Sequence, residues 1–326
     1  MRRRDFLRVS LAGAGLAACA TGAARRDEAP RAPGRLPPSS LPQRPLGHTG
    51  VTLPILGLGG FHLGGCADEA AARALLETAL QEGVRFLDNA ESYQDGRAES
   101  WMGAGLAALG VRDEVFLMTK TFKPDGRSGE SARRDLDGSL ARLRTDRLDL
   151  WQLHSIQSPE DVDRACAPGG ALEYILSQKA AGVVRFTGVT GHVNPAAHLR
   201  ALSWWDRGLR FDVMQMPINP IDAHQLSFQR QVLPECRARG IGVLAMKTSA
   251  SGALLKEGVS TIDENLRYVW GLAVDVAVVG MESPEQVRAN ASTARQARPM
   301  DETEREALLQ RIAPRSDLAL EWYKKA

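Results

Sequence analysis

From Arg44 onward the chain alternates short, almost wholly apolar runs with longer stretches in which apolar residues return every three or four positions. The short runs are PILGLGG, RFLDNA, VFLMTK, LDLWQLH, VRFTGVT, FDVMQM, IGVLAMK and DVAVVGM, beginning near residues 54, 85, 115, 148, 184, 211, 241 and 275. Runs this short and this continuously apolar predict strands of a parallel sheet covered on both faces. Their spacing of about thirty residues is that of a strand–helix unit. Between them lie helix-like segments such as ADEAAARALLETALQEG, in which Ala74, Leu75, Thr78 and Ala79 are predicted to share one face. Gly83, Gly182 and Gly240 stand where a helix end calls for left-handed backbone, just ahead of the next strand.

Eight such units predict an α/β fold, a (β/α)8 TIM barrel occupying residues 43–326. A doubly wound open sheet is the competing layout, but LGLGGFHLGG after the first strand lacks the GxGxxG spacing that would open a dinucleotide-binding turn.

The pattern is absent before residue 43. MRRRDFLRVSLAGAGLAACA has a basic start, an apolar run of about ten residues and small residues at its end, the layout of an export signal rather than of a membrane span, which needs about twenty. Arg3-Arg4-Asp5-Phe6-Leu7-Arg8 resembles the twin-arginine signal that hands folded proteins to the export machinery. Leu16-Ala17-Ala18-Cys19 resembles a lipobox, which makes Cys19 a candidate for lipidation; plain cleavage near Ala18 or Ala20 is the alternative. Residues 1–19 are thus read as a leader. Residues 20–42, rich in proline and poor in large apolar side chains, are read as a disordered tether. The expected location is periplasmic or lipid-anchored at a membrane, and cytoplasmic if the leader is inefficient.

Charge enters the picture through that leader. The whole chain carries 41 basic and 39 acidic side chains; removing residues 1–18 takes four arginines and one aspartate, leaving 37 against 38. No basic surplus argues for nucleic acid as a partner. Four scattered cysteines, Cys19, Cys66, Cys166 and Cys236, form no CxxC and no metal-like spacing.

In a barrel of this kind the chemistry lies at the C-terminal ends of the strands. There the sequence places His62 after the first strand, Asp88 and Tyr93 after the second, and Lys120 closing the third. His154 closes the fourth, Thr190 and His192 follow the fifth, Gln215 lies on the sixth and Lys247 closes the seventh. Asp88, Tyr93, Lys120 and His154 form a plausible unit: a lysine ammonium lowers a nearby tyrosine from its ordinary value of about 10, a carboxylate holds the lysine, and an imidazole binds an oxygen or relays a proton. Asp95, Arg97 and Glu99, further along, read as the solvated start of a helix. A metal site would need several converging ligands, and FHLGG offers one histidine. His62 and His192 are expected either to line the substrate pocket or to make loop contacts.

DNAESY, MTK and LH at successive strand ends resemble the Asp–Tyr–Lys–His tetrad of the aldo-keto reductase superfamily. The resemblance extends from RPLGHTGVTLPILGLGG, like that family's N-terminal β-hairpin and first strand, to SPEQVRANAS, about 280 residues. It implies hydride transfer from NADPH or NADH to a small aldehyde or ketone, with Tyr93 as proton donor, Lys120 and Asp88 tuning it, and His154 orienting the carbonyl. It further implies that Gly60 and Phe61 flank the nicotinamide, that Gln215 holds its carboxamide, that Ser283 opens the helix taking the adenosine phosphate, and that Asn290 contacts the adenine. Departures are visible. Thr190-Gly191-His192 stands where the family has Ser-Asn, Met246 replaces the stacking aromatic, and Gly280 and Gln286 replace the lysine and arginine of NADPH-selective members, leaving Lys247 or Arg288 to supply charge. The cofactor expected is therefore NADP(H), with NAD(H) as the alternative. The competing function is a non-turnover dinucleotide-binding sensor or accessory subunit on the same fold.

Overall fold

The doubly buried apolar runs form the wall of a barrel. The computed structural model describes residues 36–121, 127–296 and 298–324. A hairpin of β1 (Gln43–Pro45) and β2 (Thr52–Pro54) leads into β3 (Leu56–Gly59), β4 (Phe86–Asp88), β5 (Phe116–Lys120), β6 (Leu148–Leu153), β7 (Val184–Thr190), β8 (Val213–Pro217), β9 (Gly242–Met246) and β10 (Val276–Val279). These last eight strands pair in parallel, in sequence order, and close through β10 on β3. Helices follow the strands, so the predicted (β/α)8 barrel is the fold.

Strand alternation sorts the side chains into two cores. Phe86, Phe116, Met118, Leu150, Phe186, Val213, Leu244 and Val276 fill the lumen, with the Phe86 and Phe116 rings stacked at 5.4 Å. Leu87, Leu117, Trp151, Val189, Met214, Val243 and Ala277 face outward to the helices. The hairpin corks the N-terminal end of the barrel: Leu46 and Leu53 join the lumen cluster, and His48 N donates to the Gly240 carbonyl at 2.9 Å. Gly240 has φ +68°, and the His48 ring occupies the place a Cβ would take, 1.9 Å away, so glycine is required there twice over. Gly83 and Gly182 also adopt positive φ, +97° and +78°, at the ends of their helices.

Three expectations change. In the helix Glu69–Gln81 the buried residues are Ala72, Leu75, Leu76, Thr78, Ala79 and Leu80, and Ala74 is exposed. The apolar stripe is centred on Leu75, Leu76 and Ala79, and Ala74 falls off its edge. The tether reading fails from residue 36 onward. Leu41 is buried in the core, Leu36 N donates to Glu114 Oε2 at 2.7 Å, and Ser39 Oγ donates to the Gly83 carbonyl at 2.7 Å. Two leucines and a capping serine among prolines suffice to dock the segment. Glu99, read as solvated, is wholly buried: it accepts from Thr119 Oγ1 at 2.5 Å and from Arg142 Nε at 2.7 Å. Both partners are distant in sequence, which the local pattern does not reveal. The leader reading of residues 1–19, including Cys19, lies outside the described residues.

Candidate active site

Several strand ends deliver polar side chains to the C-terminal mouth of the barrel. Asp88 ends β4 and Lys120 ends β5, both facing inward by strand alternation and both buried. Lys120 Nζ uses its three donors on Asp88 Oδ1 at 2.6 Å, the Asn89 carbonyl at 2.7 Å and Tyr93 Oη at 3.3 Å. The turn after β4 carries Tyr93 back over the barrel, where Phe61 meets its ring edge-on at 5.4 Å and the His154 ring stands at 6.1 Å. Four groups drawn from three strands and one turn therefore converge.

Their electrostatics differ from the simple expectation. Burial raises the Tyr93 phenol above its ordinary value and outweighs the Lys120 ammonium, which pulls it down. Burial would depress Lys120, but Asp88 and Tyr93 more than offset it, and the lysine is held protonated. Burial, with Lys120 and His192 nearby, holds His154 neutral, well below the usual imidazole value. His154 Nδ1 lies 3.2 Å from the Thr121 carbonyl, and since a carbonyl only accepts, Nδ1 carries the hydrogen. Nε2 is then the bare nitrogen. His154 N also donates to Thr121 Oγ1 at 3.0 Å, while Arg127 donates to the His154 and Ser155 carbonyls at 2.8 and 3.0 Å and pairs with Asp161. Arg127 thus fixes a turn in which Ser155 has φ +54°.

The remaining candidates fall into two groups. Gly60, Phe61 and His62 follow β3 directly; a Cβ on Gly60 would lie 2.4 Å from the Asp88 carbonyl, so the loop passes close over the site. Phe61 is 52% exposed at the rim. His62 turns away from Tyr93 and pairs with Glu282 at 3.1 Å, lying across Gly280. Beside it, Ser283 caps the helix Pro284–Arg295 by accepting from Gln286 N at 3.3 Å, and Gln286 Oε1 accepts from Glu282 N at 2.8 Å. Asn290 is buried on the same helix. Arg288 pairs with Glu285 at 3.5 Å.

The second group gathers around the segment Leu318–Lys324, which the sequence reading passed over. Tyr323 stands against His192 at 6.0 Å between ring centres, and Lys247 Nζ lies 4.8 Å from the Tyr323 ring and 5.7 Å from Trp322. Lys247 has φ +52° and follows the half-buried Met246 at the end of β9. Burial lowers the Lys247 ammonium, and burial beside Lys247 takes His192 down to about 4. The segment is bolted down by Lys324, whose Nζ lies 2.6 Å from both Asp222 Oδ1 and Glu321 Oε2. Glu321 Oε1 accepts from Asn219 Nδ2 at 2.9 Å and from Tyr323 Oη at 2.8 Å. EWYKK reads locally as a solvated end, so only the fold reveals this anchor.

Thr190 is buried at the end of β7 and Gln215 in the middle of β8, and Gln215 Nε2 donates to Asp88 Oδ1 at 3.3 Å. Gly191 leaves no opening in place of the missing asparagine. A Cβ there would meet the Ile156 carbonyl at 2.5 Å and His198 at 3.0 Å, so packing excludes a side chain.

A parallel barrel that sets a buried carboxylate–lysine pair against a tyrosine hydroxyl at its C-terminal mouth has an arrangement suited to proton transfer at oxygen. Residues 55–266 match the model of the aldo/keto reductase family, and the chain belongs to that family. It is 31% identical over 225 residues to an uncharacterized oxidoreductase, YrpG of Bacillus subtilis, covering 64% of this chain and 67% of that protein. It is likewise 31% identical over 215 residues to methylglyoxal reductase YeaE of Escherichia coli, covering 64% and 69%. An aldo-keto reductase from Klebsiella pneumoniae, solved in complex with NADPH, superposes with a TM-score of 0.63 at 24% identity over 81% of this chain and 92% of that one.

Proposed function

We propose that the protein reduces a small aldehyde or ketone to an alcohol using NADP(H), with NAD(H) as the competing donor. The observation that carries this reading is the three-way contact of Lys120 with Asp88, Asn89 and Tyr93 at the C-terminal ends of β4 and β5. The bound nicotinamide would supply the hydride. Gly60 lets the chain pass close over the lumen, Thr190 offers a hydroxyl, and Gln215 Nε2 keeps a second hydrogen beyond the one given to Asp88, so the residues present fit a carboxamide.

Tyr93 gives its proton to the substrate oxygen as negative charge builds there. A raised phenol remains a far stronger acid than an aliphatic alcohol, so the transfer still runs downhill. Lys120 stabilises the tyrosinate left behind, and Asp88 keeps the lysine charged and aimed. The bare Nε2 of His154 accepts from the hydroxyl once the proton has arrived, which holds the product oxygen rather than the carbonyl. Methylglyoxal, the substrate in the name of YeaE, is a small dicarbonyl of the size this reading admits.

The test follows loss of reduced-nicotinamide absorbance when NADPH and NADH are each offered with aldehydes, ketones and quinones. Turnover supports the reading; tight dinucleotide binding without turnover of any carbonyl would favour the sensor or accessory role. One expected outcome concerns cofactor choice. With Gly280 and Gln286 uncharged and Arg288 tied to Glu285, a 2′-phosphate meets no dedicated cation at those positions. The kcat/KM values for the two cofactors should therefore differ by less than about tenfold, roughly 1.4 kcal/mol. A preference for NADPH far beyond that would mean that Arg288 or Lys247 supplies the cation in their place.

A further inference from the structure

Beside Lys120 the lumen holds a side chain with no evident purpose. Gln152 lies on β6 two residues beyond the lumen residue Leu150, directly beside Lys120 on one neighbouring strand and Gly188 on the other. It is wholly buried, and neither its Oε1 nor its Nε2 has a hydrogen-bond partner among the described residues. Space is made for it. A Cβ on Gly188 would sit 3.0 Å from Gln152 Cγ, 3.3 Å from Nε2 and 2.7 Å from the Val213 carbonyl. Gln215 shows the same deficit on one side: its Nε2 donates to Asp88, and its buried Oε1 accepts nothing.

An amide buried without partners costs more than a leucine of similar size, so a dry Gln152 is a poor choice for a lumen otherwise filled with Phe, Met, Leu and Val. Gln152 brings a free donor and a free acceptor to the lumen and Gln215 a second free acceptor, which is the bonding capacity a buried water needs. We propose that Gln152 is a positioning residue for the reaction, holding a lumen water that donates to Gln215 Oε1 and so turns the Gln215 amide to present Nε2 to Asp88. The chain of contacts then runs from Gln152 through water to Gln215, on to Asp88, and across Lys120 to Tyr93 Oη. Hydrogen bonds in such a chain polarise one another, and losing the first link frees the Gln215 amide to flip its oxygen toward Asp88, where it repels the carboxylate. The effect would reach the proton donor without any contact between Gln152 and substrate.

The proposal rests on the reductase reading, and its test separates the two. Steady-state rates against pH are measured for the full chain, Gln152→Leu, Gln215→Leu and the double variant, with melting temperature as a check on folding. Gln152→Leu should lower kcat roughly tenfold, the scale of one lost hydrogen bond in a charged network, and move the alkaline limb of the kcat profile while KM for the carbonyl stays put. The double variant should turn over no more slowly than Gln215→Leu alone, because both changes cut the same chain. Wild-type kcat and pH profile in a folded Gln152→Leu, or losses that multiply in the double variant, would overturn the proposal. A crystal structure supplies the second arm: density for a water within hydrogen-bond distance of both amides is expected, and direct contact between the amides or apolar filling of the gap would overturn it. That arm decides even if no carbonyl is reduced or Gln152→Leu does not fold.

Discussion

Replacing Tyr93 with phenylalanine is expected to lower turnover by about three orders of magnitude while leaving the fold and dinucleotide affinity unchanged. The ring would still pack against Phe61 and beside His154, because those contacts use its edge and face rather than the hydroxyl. Lys120 would lose one of three acceptors and keep Asp88 and the Asn89 carbonyl, so the buried ammonium stays paired. What disappears is the hydroxyl that meets the developing alkoxide. The measurement is kcat with a carbonyl in excess, set beside dinucleotide binding followed by fluorescence. A collapse in kcat with binding intact supports Tyr93 as the acid; unaltered kcat would remove it from that role and point to a water delivered past His154.

The second large effect is structural. Lys324→Met should destabilise the protein by about 3–5 kcal/mol, read as a lowered urea midpoint, because it strands two carboxylates with no cation between them. Asp222 and Glu321 are both fully buried, each 2.6 Å from Lys324 Nζ. The pH dependence identifies the cause. Burial raises the Asp222 carboxyl to about 6 even with Lys324 opposing it and Glu321 adding to the rise. A carboxyl whose folded value exceeds its unfolded one, about 4, holds its proton more tightly when folded, so its contribution falls as pH rises from about 4 to about 6. Without Lys324 the folded value climbs further, and the decline should continue above pH 6. A variant as stable as the parent with an unaltered pH slope would mean that the segment Leu318–Lys324 is held by other contacts.

The barrel was legible because each strand is buried on both faces and so writes itself as an unbroken apolar run, a local signal repeated eight times. The Asp88–Tyr93–Lys120–His154 set was legible for a related reason: polar residues directly after such runs have one place to go. Glu99, Gln152 and Lys324 were not, and they share a cause. Each is a polar residue whose burial is decided by partners 20 to 102 positions away or by a glycine on the adjoining strand. Helix-face errors such as Ala74 arise differently, since a small side chain at the edge of a stripe carries little weight on either side. The docking of residues 36–42 was hidden by proline, which marks both flexible linkers and rigid extended arms.

The packed lumen also governs traffic. With Phe86, Phe116, Leu150 and their neighbours filling the lumen and Leu46 and Leu53 closing it below, nothing crosses the barrel, and anything that reaches Asp88 and Lys120 comes and goes at the C-terminal mouth, past Phe61 and Trp322. Two reactants using one doorway form a queue: the one seated deeper must arrive first and depart last. On the proposed reading the dinucleotide, held at the buried Thr190 and Gln215, is the deeper one; its oxidised form should then compete with the reduced form but not with the carbonyl, and an excess of carbonyl arriving before the first product leaves can jam the passage.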